Sequence, residues 1–506
     1  MSLDHQDATV AFLSDPASYG LVGHVERIET HISIVFLVGP HAYKLKKALK
    51  LPYVDFSTAK IREEACNQEL ALNAKTAPRL YNGVRRITRA GDGRLEWDGS
   101  GELLDAVVEM ARFRQEQLLD RMALSGGLTP QLMTATARMI AGFHQVLAPI
   151  PTKDGAANIA GVLEINDAGF HTSGVFSSSE VSTLGKAFRT RLARHASLLD
   201  DRARAGKIRR CHGDLHLRNI CLIDGHPVLF DCIEFNAQIA TIDVLYDLAF
   251  LLMDLWHRGF ADLANLTMNR YLDAANEEDG ICLLPFFMAV RAAVRAHVTA
   301  TQAEEPGQDR PRLSAEARRY FDLAIDLLRE ETPRLVAIGG LSGSGKSTVA
   351  DHLAPRFRPP PGARIMESDR IRKAMHGVTA ETHLPPASYR PEVSASVYED
   401  MAQRTALILK QGGCVVADAV FDDPARRQGI EQAAGAAAGF CGIWLDAEPA
   451  LLRQRVGARR DGASDADVEV LSRQLDSRPG DVGWHRVDAS LPPDRLIAQI
   501  LTLARG

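Results

Sequence analysis

The sequence predicts two domains of different class: a two-lobed α+β domain over residues 1–332, then an α/β domain over 333–506 built on a parallel sheet. Three observations carry this. Short strand-like runs up to Met110 give way to long stretches of helical spacing. Thr332-Pro333 follows the last of those helices and marks a boundary. Beyond it, apolar runs of strand length recur between helical segments: Leu335–Gly339, a run from Ala363 to Asp369, Gly413–Asp418 and Gly442–Asp446.

A chain of 506 residues suits two domains or a little more. Its 46% apolar and 24% charged content is ordinary for a globular protein. A net charge of −5 gives no global pull toward nucleic acid or anionic membrane. Seven cysteines, odd in number and without a C-x-x-C pair, argue against a disulfide framework or a zinc site and predict a reducing cytoplasm. No apolar signal core is read at the N-terminus. The most apolar stretch, Leu245–Trp256, is too short to span a membrane and carries Asp247 and Asp254.

In chain order, residues 8–22 read as a short helix and its exit. Three strands follow, Val25–Thr30, Ser33–Val38 and Ala42–Lys46, then a helix over Asp55–Ala77. Val84–Ile87 and Leu103–Met110 read as two further strands joined through Gly91-Asp-Gly93. Helices are predicted at 132–147, 179–204, 243–256, 260–275, 283–301 and 314–331. A small sheet followed by a helical lobe is the outline of a two-lobed kinase.

The helical lobe contains Cys211-His-Gly-Asp-Leu-His-Leu-Arg-Asn219 and, about a dozen residues later, Val228-Leu-Phe-Asp-Cys-Ile-Glu-Phe235. Phosphoryl transfer to a hydroxyl needs one carboxylate to orient it, and an amide and a second carboxylate to hold Mg²⁺. Asp214, Asn219 and Asp231 supply these groups in that order. The constellation resembles the aminoglycoside phosphotransferase and choline kinase superfamily, over roughly residues 20–300. The resemblance implies a protein-kinase-like fold, with Asp214 catalytic and Asn219 and Asp231 as metal ligands. Asp243 and Asp247 match a segment read as structural. Ala42-Tyr-Lys-Leu-Lys46 looks like the strand bearing the ATP-binding lysine, and Glu69 is similar to the helix glutamate that pairs with it. Lys44 and Lys46 share a face, so spacing leaves both open; Lys44 is favoured because an aromatic residue precedes it, as in relatives. No G-x-G-x-x-G loop is present, and His31-Ile-Ser33 stands where the phosphates would be covered.

The second domain opens on Gly340-Leu-Ser-Gly-Ser-Gly-Lys-Ser347, a full phosphate-loop pattern between a strand and a helix predicted over Thr348–Phe357. Glycines 340, 343 and 345 let backbone N–H groups face an anion, together with Ser342, Ser344 and Thr348. Lys346 suits the β/γ-phosphates and Ser347 suits Mg²⁺. Asp369, read at a strand end, can orient an acceptor hydroxyl, and Arg372 can bind an anionic acceptor. Asp418 ends a third strand and suits the metal. Arg455 and Arg459, in an arginine-rich helix, are placed to close over ATP. This set resembles phosphate-loop kinases of the gluconate kinase, zeta-toxin and polynucleotide kinase class, over roughly 333–506. The order of the parts resembles bacterial fusions of the two kinds of domain.

The reading is therefore an ATP- and Mg²⁺-dependent kinase, bifunctional, acting on hydroxyls of small metabolites such as a sugar or polyol. The alternative, of another class, makes one half a nucleotide-binding module that regulates the other. The acidic balance and the absence of an aromatic-plus-basic stripe argue against a nucleic-acid end kinase. Aminoglycoside resistance rests on analogy alone, and the acceptor helices carry Arg291 and Arg295 beside their acids. Oligomeric state is not readable.

Overall fold

A computed structural model describes residues 6–30, 32–51, 54–305, 307–436, 438–458, 462–477 and 482–505. The chain divides into two compact units: Met1–Asp254 with Val290–Asp322, and Leu255–Ala289 with Leu323–Gly506. A single cut at 332/333 does not reproduce this division, because the second unit also takes in the mid-chain helix Ala261–Ala275 and the turn Glu278–Leu283.

The first unit has a six-stranded antiparallel sheet in the spatial order Glu26–Glu29, Ser33–Val38, His41–Lys46, Glu102–Ala111, Tyr81–Arg89, Leu95–Trp97. The last of these was not predicted; Gly91–Gly93 turns into it rather than into Glu102–Ala111. The helix is Ala59–Asn73, shorter than read, and starts where the Thr58 hydroxyl accepts from Ile61 N–H at 3.4 Å. Its Cys66 and Leu70 pack on Ala106 and Val108 of the sheet. Arg62 fixes the rotation: Nε and Nη2 donate to the two Asp105 oxygens at 2.8 and 3.0 Å, with both residues fully buried. Two turns on, Glu69 comes to the same face.

Helices Pro130–Val146, Ser178–Arg204 and Val244–His257 follow as predicted to within a few residues. Gly155–Phe170 was missed because its three glycines, two asparagines and aspartate are poor helix formers. Packing overrides propensity there: a Cβ on Gly155 would stand 2.1 Å from the Leu199 carbonyl of the neighbouring helix. Among the described residues one helical segment, Glu278–Ala303, is long and apolar enough to cross a membrane, and 72% of its apolar window is buried inside the protein. It is not the stretch singled out from the sequence.

The second unit holds five parallel strands, and numbering them in chain order gives 2-3-1-4-5 across the sheet: Arg364–Glu367, Val415–Asp418, Arg334–Gly339, Gly439–Asp446, His485–Asp488. The fifth was missed because only Val487 in it is buried. The apolar core lies around Val336, Ile338, Val416 and Ile443. Arg364–Glu367 is an edge strand, and two asparagines bond its outer margin. Asn265 Nδ2 donates to the Ala363 carbonyl at 3.0 Å, and Ile365 N–H donates to Asn269 Oδ1 at 2.8 Å. Both asparagines stand one turn apart on Ala261–Ala275 and are buried. Arg364 adds ion pairs to Asp273 at 2.8 Å and Glu278 at 2.9 Å. Asn269→Ala leaves the Ile365 N–H without its acceptor and takes one of two acceptors from Arg364 Nη1. The expected loss is about 1–3 kcal/mol of stability, to be read by denaturant unfolding of the full chain; a loss under a few tenths would contradict the clasp.

Candidate active sites

In the first unit, alternation along His41–Lys46 puts Lys44 and Lys46 on one face. Both reach the same carboxylate. Lys44 Nζ donates to Glu69 Oε1 at 2.9 Å, and Lys46 Nζ donates to Oε2 at 2.6 Å. Lys44 also donates to Asp231, and Lys46 to Glu234. Depth separates the two: the Lys44 side chain is 13% exposed and that of Lys46 is 1% exposed. Burial works against the charge on Glu69, but the two lysines outweigh it and hold its pKa at about 2.

Three hydrogen bonds tie the 211–219 loop to the end of His226–Leu229. Phe230 N–H donates to the Asn219 carbonyl at 3.1 Å, Ile233 N–H donates to the His212 carbonyl at 2.9 Å, and the His212 ring lies 2.9 Å from the Phe230 carbonyl. Asp231 sits between these anchors. Its backbone is left-handed (φ 65°), which a short acid tolerates. Its N–H donates to the Tyr81 hydroxyl at 3.1 Å, and the next N–H, of Cys232, donates to Asn73 Oδ1 at 2.9 Å.

Asn219 Nδ2 donates to both the carbonyl and Oδ2 of Asp214, each at 2.9 Å, and His216 Nε2 lies 3.3 Å from the same Oδ2. Burial pushes the Asp214 carboxyl up, yet His216 and His212 outweigh it and hold it well below the usual range. Asp214 is therefore ionised at neutral pH and can accept a bond from an alcohol. Asp247 accepts from His212 N–H at 3.1 Å, Gly213 N–H at 2.8 Å and the His144 ring at 3.1 Å. Asp243 takes a bidentate Arg202 at 2.8 and 2.9 Å. These two acids have the structural setting read for them. Sequence reasoning missed Glu234, Tyr81, Asn73 and His144; only Glu234 left a signal, three residues after Asp231.

In the second unit, Gly340, Gly343 and Gly345 all have left-handed φ, at 144°, 84° and 89°. A Cβ on Gly340 would meet the Leu445 carbonyl at 2.7 Å, and one on Gly343 would meet the Leu452 carbonyl at 2.7 Å, so the cradle accepts only glycine at both. The helix opens at the loop itself, Lys346–Leu353, two residues before the predicted start, with Ser347 and Thr348 in its first turn. Ser347 Oγ donates to Asp418 Oδ2 at 2.6 Å. Ser342 N–H donates to Gln474 Oε1 at 2.9 Å, and Lys346 Nζ donates to the Leu341 carbonyl at 3.2 Å. Ser344 Oγ is buried and has no partner among the described residues, so the loop has a polar group left for a polar ligand.

The strand Arg364–Glu367 stops short of Asp369, which stands in the first turn of Ser368–Met375 rather than on the strand end. It still belongs to an acidic cluster. Burial, and the neighbouring Asp418 and Asp369 charges, push Glu367 up to about 7 against Arg370. Burial and Asp369 likewise push Asp418 up to about 6, against Lys346 and the Ser347 bond. Asp369 itself is raised, by burial first. Mutually repelling carboxylates beside a hydroxyl form a hard-oxygen set that fits Mg²⁺. Since a raised pKa means that protons compete with metal, Mg²⁺ affinity at this unit should fall as pH drops through about 6. Metal titrations between pH 5 and 8 would check it, and a flat affinity would count against the set.

The two predicted arginines each meet a backbone carbonyl. Arg372 is buried; its Nη1 donates to the Ser388 carbonyl at 2.9 Å, its guanidinium lies 4.7 Å over Tyr389, and its Nε has no partner among the described residues. Arg455 Nη2 donates to the Ala489 carbonyl at 3.1 Å, just beyond the fifth strand. Arg459 and His31 lie outside the described residues.

Residues 62–281 match the family described as Phosphotransferase enzyme family, and residues 335–479 match the one described as AAA domain. An uncharacterized protein of Mycobacterium tuberculosis is 29% identical over 496 residues, 94% of this chain and 95% of the relative. A thymidylate kinase of Synechococcus is 28% identical over 206 residues, 34% of this chain and 95% of that protein. Among solved structures, a Plasmodium vivax ethanolamine kinase covers 61% of this chain and 85% of its own, at 13% identity and TM-score 0.39. A gluconokinase from Sinorhizobium meliloti covers 35% and 94%, at 24% identity and TM-score 0.24.

Proposed function

We infer that this chain, a fusion of a phosphotransferase-family domain with a phosphate-loop kinase domain, is a bifunctional ATP- and Mg²⁺-dependent enzyme that phosphorylates hydroxyl groups of small metabolites. One arrangement supports the reading. In each unit a carboxylate that we assign to an incoming alcohol stands beside polar groups that we assign to Mg²⁺. In the first, Asp214 shares Asn219 with the metal set of Asn219 and Asp231. In the second, Asp369 shares the field of Asp418, which is bonded to Ser347.

Bound Mg²⁺ would neutralise developing charge on the β- and γ-oxygens. The protein does the rest by orientation. Lys44, held by Glu69, and Lys346, at the head of its helix, each place one positive charge on the phosphates. The loop N–H groups from Gly340 to Thr348 cradle the anion. Asp214 and Asp369 each accept the hydroxyl hydrogen and aim the oxygen in line.

The test is ATP consumption by the full chain across a metabolite library, run with the wild type, Asp214→Ala and Lys346→Ala. Each variant should lose a different acceptor. Full activity of both variants with every acceptor that supports the wild type would refute the reading. If all acceptor-dependent turnover disappears with one variant and none with the other, one half is a nucleotide-binding module instead.

A further inference from the structure

We propose that Lys46 and Glu234 form a positioning pair for the first unit, which lets Lys44 and Asp231 part from each other while Glu69 stays charged and in place. The proposal rests on the phosphotransferase reading of that unit.

Five groups of alternating sign stand in a line: Asp231, Lys44, Glu69, Lys46, Glu234. Asp231 and Glu234 are three residues apart on one loop. Lys44 and Lys46 are two apart on one strand. The line therefore makes two rungs between loop and strand, with Glu69 from the helix between them. The rungs differ in depth. In the outer one the Asp231 side chain is 38% exposed; in the inner one the Glu234 side chain is 4% exposed and that of Lys46 is 1% exposed. Further contacts fix the inner lysine: its ammonium stands 5.2 Å over the Phe56 ring, and its carbonyl accepts from Gln6 Nε2 at 2.9 Å.

Ligand binding loosens the outer rung. Lys44 bonds Asp231 through Oδ1 and both groups keep further bonding sites, but a cation on Asp231 competes with Lys44 for the carboxylate, and a phosphate competes with Asp231 for the ammonium. Once they part, Glu69 is the remaining protein carboxylate on Lys44. With Lys46 in place, Glu69 has a second counter-charge and leaves Lys44 free to lean outward. Without Lys46, Lys44 is the sole cation for buried acid and is drawn inward, away from the nucleotide. The inner rung also keeps the Asp231 loop against the strand while the outer one is open.

The experiment uses the full chain carrying Lys346→Ala, titrated with Mg·AMP-PNP; binding that survives an added Lys44→Ala is assigned to the second unit and subtracted. Into this parent go Lys46→Met with Glu234→Gln, a neutral pair that strands no charge. The expected result is a thermal midpoint within a few degrees of the parent and at least tenfold weaker binding. Lys46→Met alone should be weaker still, since it leaves two buried acids short of a cation. If the first pair does not fold, Lys46→Gln with Glu234→Gln replaces it, because those amides can bond each other. Unchanged affinity in a folded double variant overturns the positioning pair and leaves the phosphotransferase reading standing. A parent with no Lys44-dependent binding overturns both.

Discussion

Lys346→Ala is expected to lower phosphoryl transfer at the second unit by about 10²–10³-fold, the range for removing one preorganised donor to a developing anion. The lysine heads Lys346–Leu353, where the helix dipole and the loop N–H groups already favour negative charge. Its field also holds Asp418 and Asp369 below where burial would leave them. Removing it therefore weakens phosphate binding and lets protons compete better for the metal set. The drop should be steeper at pH 6 than at pH 8. Initial rates at saturating Mg·ATP, in an Asp214→Asn background that silences the first unit, measure it. Rates within threefold of the parent would show that the loop is not the working site.

Asp214→Asn should cost the first unit about 10²–10⁴-fold in kcat, the usual worth of a positioned general base. The substitution keeps an oxygen to accept from Asn219, so the loop should retain its shape. It removes the charge that His216 and His212 stabilise. KM for Mg·ATP should change little, because Asp231 and Lys44 are untouched. A kcat within tenfold of the wild type, measured with Lys346→Ala present, would remove Asp214 from the chemistry. A rise in KM without loss of kcat would make it a binding residue instead.

The parts of both sites that sequence made legible are those packed into short segments. Asp214 to Asn219 and Gly340 to Ser347 are contiguous, so spacing alone conveys their geometry. Asp231 could be paired with them because one apolar strand leads to it. Legibility ends where a partner is remote or a choice depends on depth. Lys44 and Lys46 obey the same two-residue period; what separates them is burial under Phe56 and Glu234, 188 residues further along the chain from Lys46. Asp369 was placed on a strand because Ile365 and Met366 are apolar, yet Ser368 opens a helix there. Spacing assigns Arg372 to an anionic acceptor and Arg455 to ATP, but it cannot show the remote carbonyls of Ser388 and Ala489, each of which accepts one of their N–H groups. The helix Gly155–Phe170 has too little propensity to be seen without its neighbour.

The asparagines on Ala261–Ala275 bear on how the two proposed activities can be separated. A fragment starting at residue 333 would carry the phosphate loop but would leave the margin of Arg364–Glu367 bare. A bare strand margin recruits other polypeptides and clumps. Halving this gene at the obvious junction would therefore yield an insoluble product, whereas silencing one half by a point substitution keeps the margin sealed.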